Sequence, residues 1–279
     1  MWARSFGRHQ LTLTSMFSLD RASVGRAGYA EIFQAGETLD GRPLIDRQHP
    51  HDFFMQLAGA WRIPLGDGAG LTIAGGPAGE PALGPVAFMH HPSAAENPTA
   101  PLGHHTLDST HITYGVVTAA VDRGPVTVEA SLFNAREPGD LTRTTVSGSW
   151  MRRRKEGFTA MGAGYGVNRK QDGTHSSFFG EVTRRAAANA VYGRFERHEP
   201  EAVLLSEGES TAPGEDPGTL LALTIGGVRD FFARRNFELD LGADVTVYGV
   251  PSMLKPAYGS PISAHVFRRL RLGTRSAGL

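Results

Sequence analysis

Seven of the chain's eleven histidines fall between positions 49 and 111, far more than an even spread would place there. They stand as His49 and His51 in an HPH triplet, as His90 beside His91, as His104 beside His105, and as His111. Carboxylates accompany them at Asp46, Asp52, Glu80, Glu96 and Asp108, and Met89 adds a thioether. Imidazole with carboxylate is a donor set for zinc, copper(II), nickel or iron, and a thioether beside imidazoles leans towards copper. In an extended segment His49 and His51 share one face, so both rings can reach a single ion, while nearby carboxylates can hold the ring N–H groups from behind. The candidate metal ligands are therefore His49, His51, Asp52, Met89, His90, His91, His104, His105, Asp108 and His111, with copper or zinc as the ion. No HExxH spacing accompanies them. A second reading competes. A long loop folded inside a larger structure needs internal hydrogen bonds for its polar groups, which histidine, asparagine and aspartate supply, and prolines keep such a loop extended.

Nucleophilic catalysis is the third chemistry these residue types allow. In LDSTHITYG, Ser109, Asp108 and His111 lie close together, as in a hydrolase of esterase or phospholipase type. If the segment after Thr110 is a strand, however, Ser109 and His111 share a face while Asp108 points away, so no base sits between nucleophile and orienting acid. GxSxG is absent. Ser109 and His111 stay as a minority alternative, and no catalytic residue is assigned.

Whatever these residues do, the elements around them are strands. Residues alternate in polarity along almost the whole chain. In QLTLTSMFSLD the residues Leu11, Leu13, Phe17 and Leu19 oppose Thr12, Thr14 and Ser18. In NFELDLGADVTVYGV the residues Phe237, Leu239, Leu241, Ala243, Val245 and Val247 oppose Glu238, Asp240, Gly242, Asp244, Thr246 and Tyr248. Similar alternation marks 53–63, 69–74, 110–121, 125–136, 143–153, 158–167, 176–184, 189–198, 219–232 and 262–272, which gives about twelve strands. Several are longer than the strands of ordinary soluble sheets. Short connections such as DRGP and RRRKEG alternate with long ones, the asymmetry of an up-and-down outer-membrane barrel. Aromatic residues near strand ends (Trp61, Phe133, Trp150, Tyr165, Tyr192, Phe231, Tyr248, Phe267) point the same way. A soluble barrel also alternates, but with its apolar face inward.

Composition agrees and excludes other classes. Lys+Arg and Asp+Glu are equal at 28 each, so no net field argues for a nucleic-acid partner. Glycine at 35 and proline at 17 fit many strands joined by turns, and the absence of cysteine excludes disulfides and thiolate ligands. The acidic stretch SEGESTAPGEDPG is a flexible loop by composition. Charged residues of the polar strand faces, Glu129, Glu181, Arg194, Glu196, Glu238, Asp240 and Asp244, are candidates for lining a lumen, either as a pore field or as a paired, filled interior.

Four segments, GRPLIDRQHPHDFFMQLA, GEPALGPVAFMHHPSAAENPTAPLGHHTLDSTHITYGVVTA, EASLFNAREPGD and DVTVYGVPSMLKPAYGSPISAHVF, resemble a family of uncharacterised bacterial envelope proteins regarded as outer-membrane β-barrels. The resemblance implies fold and compartment, not an activity. Such proteins carry further strands between the FNAREP segment and the strand matching TRTTVSGSW, where this chain passes from Asp140 almost directly to Arg143. They also begin with a signal peptide, whereas MWARSFGRHQLTLT has neither an apolar h-region nor a small-residue cleavage site, so the expectation is either a cytosolic chain or a sequence that starts at or inside a mature region.

The expectation is an all-β, antiparallel, up-and-down transmembrane β-barrel of about twelve strands. It forms a single domain over 1–279, with long loops near 21–52, 75–109 and 199–218 folded into or over the lumen. It is expected as a monomer in a bacterial outer membrane, acting as a narrow pore or as a binding barrel for a small cation. The alternatives are the surface-acting hydrolase and a plugged, purely structural barrel.

Overall fold

A computed structural model describes residues 2–40, 42–48, 50–51, 53–78, 91–107, 113–135, 142–170, 173–200, 218–234 and 237–272. Strands follow one another as β1 (Trp2–Phe6), β2 (His9–Phe17), β3 (Tyr29–Leu39), β4 (Arg42–Gln48), β5 (Phe54–Gly66), β6 (Ala69–Ala78), β7 (Thr113–Arg123) and β8 (Val126–Ala135). They continue as β9 (Thr142–Arg154), β10 (Gly157–Lys170), β11 (Gly173–Ala186), β12 (Asn189–His198), β13 (Leu220–Arg234), β14 (Phe237–Gly249) and β15 (Ile262–Leu272). Thirteen of them form one antiparallel sheet in chain order, while β3 and β4 pair only with each other. The architecture is thus an up-and-down sheet of barrel type. Among the described residues no ladder joins β1 to β15. Sheet strands other than β1 run from 9 to 15 residues, enough for a tilted crossing of a hydrocarbon layer.

The connections differ between the two ends, although at the end of the long links β10 and β11 are separated by only two positions. At one end each described link has two residues: 7–8, 67–68, 124–125, 155–156 and 187–188. Asp67 and Gly68 both take positive φ, at 47° and 73°, the conformation that joins antiparallel strands without splaying them. At the other end lie the long links, including 18–53 and 250–261. The sheet is continuous through the middle of the chain. β8 pairs directly with β9 from Val126 opposite Trp150 to Asn134 opposite Thr142.

The polarity of the sheet is inverted relative to a soluble barrel. On β14 every second residue from Glu238 to Thr246 is buried, while Phe237, Leu239, Leu241, Ala243, Val245 and Val247 are exposed. Ile225 is 64% exposed and Val266 79%. Contiguous rows of such side chains would be strongly unfavourable against water, so the outer surface fits hydrocarbon. The inner face buries Thr118, Ser131, Thr145, Thr183, Glu181, Arg194, Asp240 and Asp244.

Two features differ from the sequence expectation. The stretch 21–52 is not simply a loop: it contains the β3–β4 hairpin, and β1 adds a strand before the first one expected. Of the aromatic residues assigned to strand ends, Phe133 and Tyr192 are buried on the inner face, which Tyr248 and Phe267 share. The reason is visible in the register. Gly226 lies opposite Tyr192 and Gly242 opposite Phe267, and in each pair the ring occupies the space where a glycine Cβ would stand. An inward ring laid over a bare glycine covers the backbone, a role that does not require the lipid boundary.

The inverted polarity makes a direct prediction. Ile225→Arg is expected to destabilise the barrel by about 2–4 kcal/mol in urea titrations in phospholipid vesicles, the cost of a cation facing the middle of the bilayer. An exposed site on a soluble protein would change by about 0.5 kcal/mol or less.

Candidate functional site: a charged lumen and the segment inserted in it

The inner face is not evenly charged. From β5 to β8 the inward positions hold Ala58, Ala60, Ala74, Thr118, Ala120 and Ser131, with Glu129 among them and the pair Arg62–Asp122, 2.6 Å apart, near the short turns. From β11 to β15 they hold Glu181, Arg185, Arg194, Glu196, Asp230, Glu238, Asp240, Asp244, His265, Arg269 and Arg271. These two walls differ because their alternating sequences differ, ASLFNA on one side and HVFRRLRL on the other.

The segment 91–107 lies against the charged wall. Its deepest point is Glu96, 2% exposed. Arg185 donates its Nε–H to Glu96 Oε1 at 2.8 Å and holds a terminal nitrogen 2.6 Å from the same oxygen. Arg269 and Arg271 donate to Oε2 at 2.5 and 2.9 Å. The same arginines reach wall carboxylates: Arg185 to Asp230 at 2.8 Å, Arg269 to Asp240 at 3.2 Å, and Arg271 to Glu238 at 3.8 Å. Three cations and four anions thus form one network near the short-turn end. Breaking one member of such a buried set is costly, because the others stay desolvated.

Further contacts run back along the lumen. Thr183 donates its hydroxyl to the carbonyl of Ser93 at 2.7 Å, and Arg194 donates to the carbonyl of Thr99 at 2.9 Å while pairing with Glu181 at 3.1 Å. The backbone N–H of Leu102 donates to Glu196 at 2.7 Å. Gly103 packs so closely on Ser177 and His198 that a Cβ would overlap Ser177. The bend at the tip is local: Asn97 Oδ1 accepts from both the backbone N–H and the hydroxyl of Thr99, at 3.0 and 2.9 Å, just before and across Pro98. Leu107 and Ala94 pack on Phe179. The segment therefore spans much of the lumen depth, fastened at each level.

The β3–β4 hairpin occupies the same interior nearer the long links. Glu31 stands 2.9 Å from Nε2 of His265, whose Nδ1 is 2.7 Å from Asp244, and Tyr192 donates to Asp244 at 2.7 Å. Phe33 packs against Tyr248 and Tyr258 with centroids at 5.2 and 4.5 Å, in a cluster with Leu102 and Leu220. Phe33 and Asp46 both hold positive φ, at 63° and 55°. The Phe33 N–H and the Tyr258 hydroxyl both donate to Asp46 Oδ1, at 2.7 and 3.2 Å, which fixes this conformation.

Only three of the expected metal ligands, His51, His91 and His104, have described surroundings. His49, Asp52, Met89, His90, Asp108 and His111, together with Ser109 and the side chain of His105, lie outside the described residues. His51 Nδ1 is 2.5 Å from Asp20, whose carboxyl is held at about 2 chiefly by that hydrogen bond. His104 is buried with Nδ1 3.0 Å from the carbonyl of Pro101, and the His91 carbonyl accepts the N–H of Ala94 at 3.0 Å. Among the described residues no group of three His, Asp or Glu is placed to hold a metal ion. Glu181, Arg194, Glu196, Glu238, Asp240 and Asp244 are all buried on the inner face, and the ones with described partners are engaged in pairs. The sequence reading missed Arg185, Asp230, His265, Arg269 and Arg271 as site residues, although all share the inward parity of their strands.

The Glu96 network sets a pH dependence. Burial alone would raise the Glu96 carboxyl, but Arg185, Arg269 and Arg271 outweigh it and hold the group below its ordinary value. A depressed folded pKa contributes stability above the unfolded value, about 4.3, which is lost as pH falls through the folded one. Protease cleavage within 91–107 is therefore expected to begin only below about pH 4. Glu96→Gln is expected to cost about 3 kcal/mol of stability in urea unfolding, the low end for a broken buried ion pair, since Asp230, Glu238 and Asp240 still balance the arginines. It should also make the segment cleavable at neutral pH.

No family model matches the sequence, and a search of curated proteins finds no match. Among solved structures the chain is similar to an anion-selective porin from Comamonas acidovorans. The two are 8% identical with a TM-score of 0.43, over 97% of this chain and 74% of that one.

Proposed function

We propose that the protein is a monomeric outer-membrane barrel of pore type whose lumen is narrowed by the inserted segment 91–107, acting passively and without covalent chemistry. The observation that carries this reading is the inverted sheet: an apolar exterior around a polar interior in which a separate segment is held by ion pairs rather than by an apolar core. An apolar exterior of this kind suits a bilayer, and two-residue turns at one end with long links at the other match the sidedness of outer-membrane barrels. The path we assign to small solutes follows the wall from β5 to β8, where the inward side chains other than Gln56, Arg62, Asp122, Glu129 and Phe133 are small. Glu129, with the Ser147 hydroxyl donating to it at 3.4 Å, is the carboxylate that such solutes pass.

Planar-bilayer recordings test this. The wild type is expected to give small, steady conductance steps, Glu96→Gln larger ones, and Glu129→Gln a lower preference for cations over anions. Silence across repeated insertions of both the wild type and Glu96→Gln would overturn the pore reading and leave a structural barrel.

A further inference from the structure

The outer wall is not uniformly apolar. Two outward-facing rows in the half of β9 to β15 towards the short turns can be followed through the strand register; on β13 to β15 the exposed Phe231, Phe237, Leu239 and Leu270 lie between them and the turn. One runs Arg154, Gly157, Ala186, Asn189, Arg229, Leu241, Arg268, and the other Arg152, Thr159, Arg184, Val191, Gly227, Ala243, Val266. Together they present five arginines and no carboxylate. Arg229 and Arg268 flank Leu241 directly in the ladder, are exposed, and have no ion pair among the described residues.

Beside them the wall is indented. Gly227 and Ala243 are register partners with almost no side chain, set between Val191 and Val266. The result is an open groove of about 390 Å³ with Leu241 along one side and Arg229 at its edge. An apolar trough with Arg229 among its lining residues, and with Arg268 on the other side of Leu241 in the ladder, is complementary to a molecule with a hydrocarbon chain and an anionic oxygen head. Guanidinium groups bind phosphate oxygens with good geometry, and basic residues at a membrane surface select anionic lipids.

We propose that this groove is a binding site for an anionic phospholipid, its phosphate between Arg229 and Arg268 and the start of one acyl chain over Gly227 and Ala243. The site rests on the reading of the protein as a membrane barrel. Its place at the short-turn end puts it in the leaflet facing those turns. The arginines of the neighbouring strands, Arg152, Arg154 and Arg184, extend the same field along the rim.

Native mass spectrometry of the full chain, released from micelles doped with equal phosphatidylglycerol and phosphatidylcholine, tests the site. The wild type is expected to retain one phosphatidylglycerol in preference to phosphatidylcholine. Arg229→Gln with Arg268→Gln should lower that retention about 30-fold, about five-fold for each arginine. Ala243→Leu, which fills the groove from an exposed position, should lower it as well, and Arg123→Gln, an outward arginine on β7, should leave it unchanged. Equal retention of both lipids, or an equal loss in Arg123→Gln, would overturn the site. A dimer that Ala243→Leu abolishes would overturn it in favour of an interface between copies. Failure of the wild type to insert into phosphatidylcholine vesicles would instead overturn the membrane reading, and the site with it.

Discussion

A strand that crosses hydrocarbon turns its apolar side chains outward, and its polar side chains are then left with one another. Everything inside this sheet follows from that constraint. Water is limited in a lumen that also holds a hairpin and an inserted segment, so each buried charge must find a partner or be neutralised. Arg185, Arg194, Arg269 and Arg271 meet Glu96, Asp230, Asp240 and Glu181, and the interior becomes an electrostatic core in place of an apolar one. The hydrophobic clusters described inside are small and local, around Phe33, Phe179, Phe133 and Tyr192.

That arrangement explains the asymmetry of the two walls. The inserted elements carry acids at their contact points: Glu96 in the segment settles where Arg185 of β11 and Arg269 and Arg271 of β15 converge, and Glu31 in the hairpin settles beside His265 of β15. The opposite wall carries mostly alanines, threonines and serines, and its charges are few: Glu129 and the Arg62–Asp122 pair. Among the described residues, the inserted elements are held on the charged side. Position within the lumen is decided by charge pairing more than by shape.

The fold was largely legible because a period of two is a strong signal when it recurs over a dozen segments, and because inverted polarity leaves acids such as Asp240 and Asp244 alternating with Leu241 and Val245. The strand boundaries moved by a few residues, since alternation fades where strands meet turns. The β3–β4 hairpin was not legible: it buries both faces partly and contains two residues in left-handed conformation, so its pattern has no clean period. The site was half legible. Parity alone places Glu181 and Arg194 on one face, but the meeting of Glu96 with arginines some ninety to a hundred and seventy positions later depends on how a proline-broken segment threads the lumen. Histidine density drew the reading towards a metal, whereas the described histidines His51 and His104 serve local hydrogen bonds.

The ion pairs of Glu96 lie near the short turns, while the segment that carries it belongs to a connection at the opposite end. A strap fastened at its far tip does not peel. Contacts close to the mouth, such as Leu102 with Glu196, can break and re-form without loosening the tip, and the tip cannot leave until most of the path behind it is free. Opening of the lumen would then be an all-or-none event with a high kinetic barrier. Such a barrel would spend long intervals fully narrowed or fully open, with no graded widening in between.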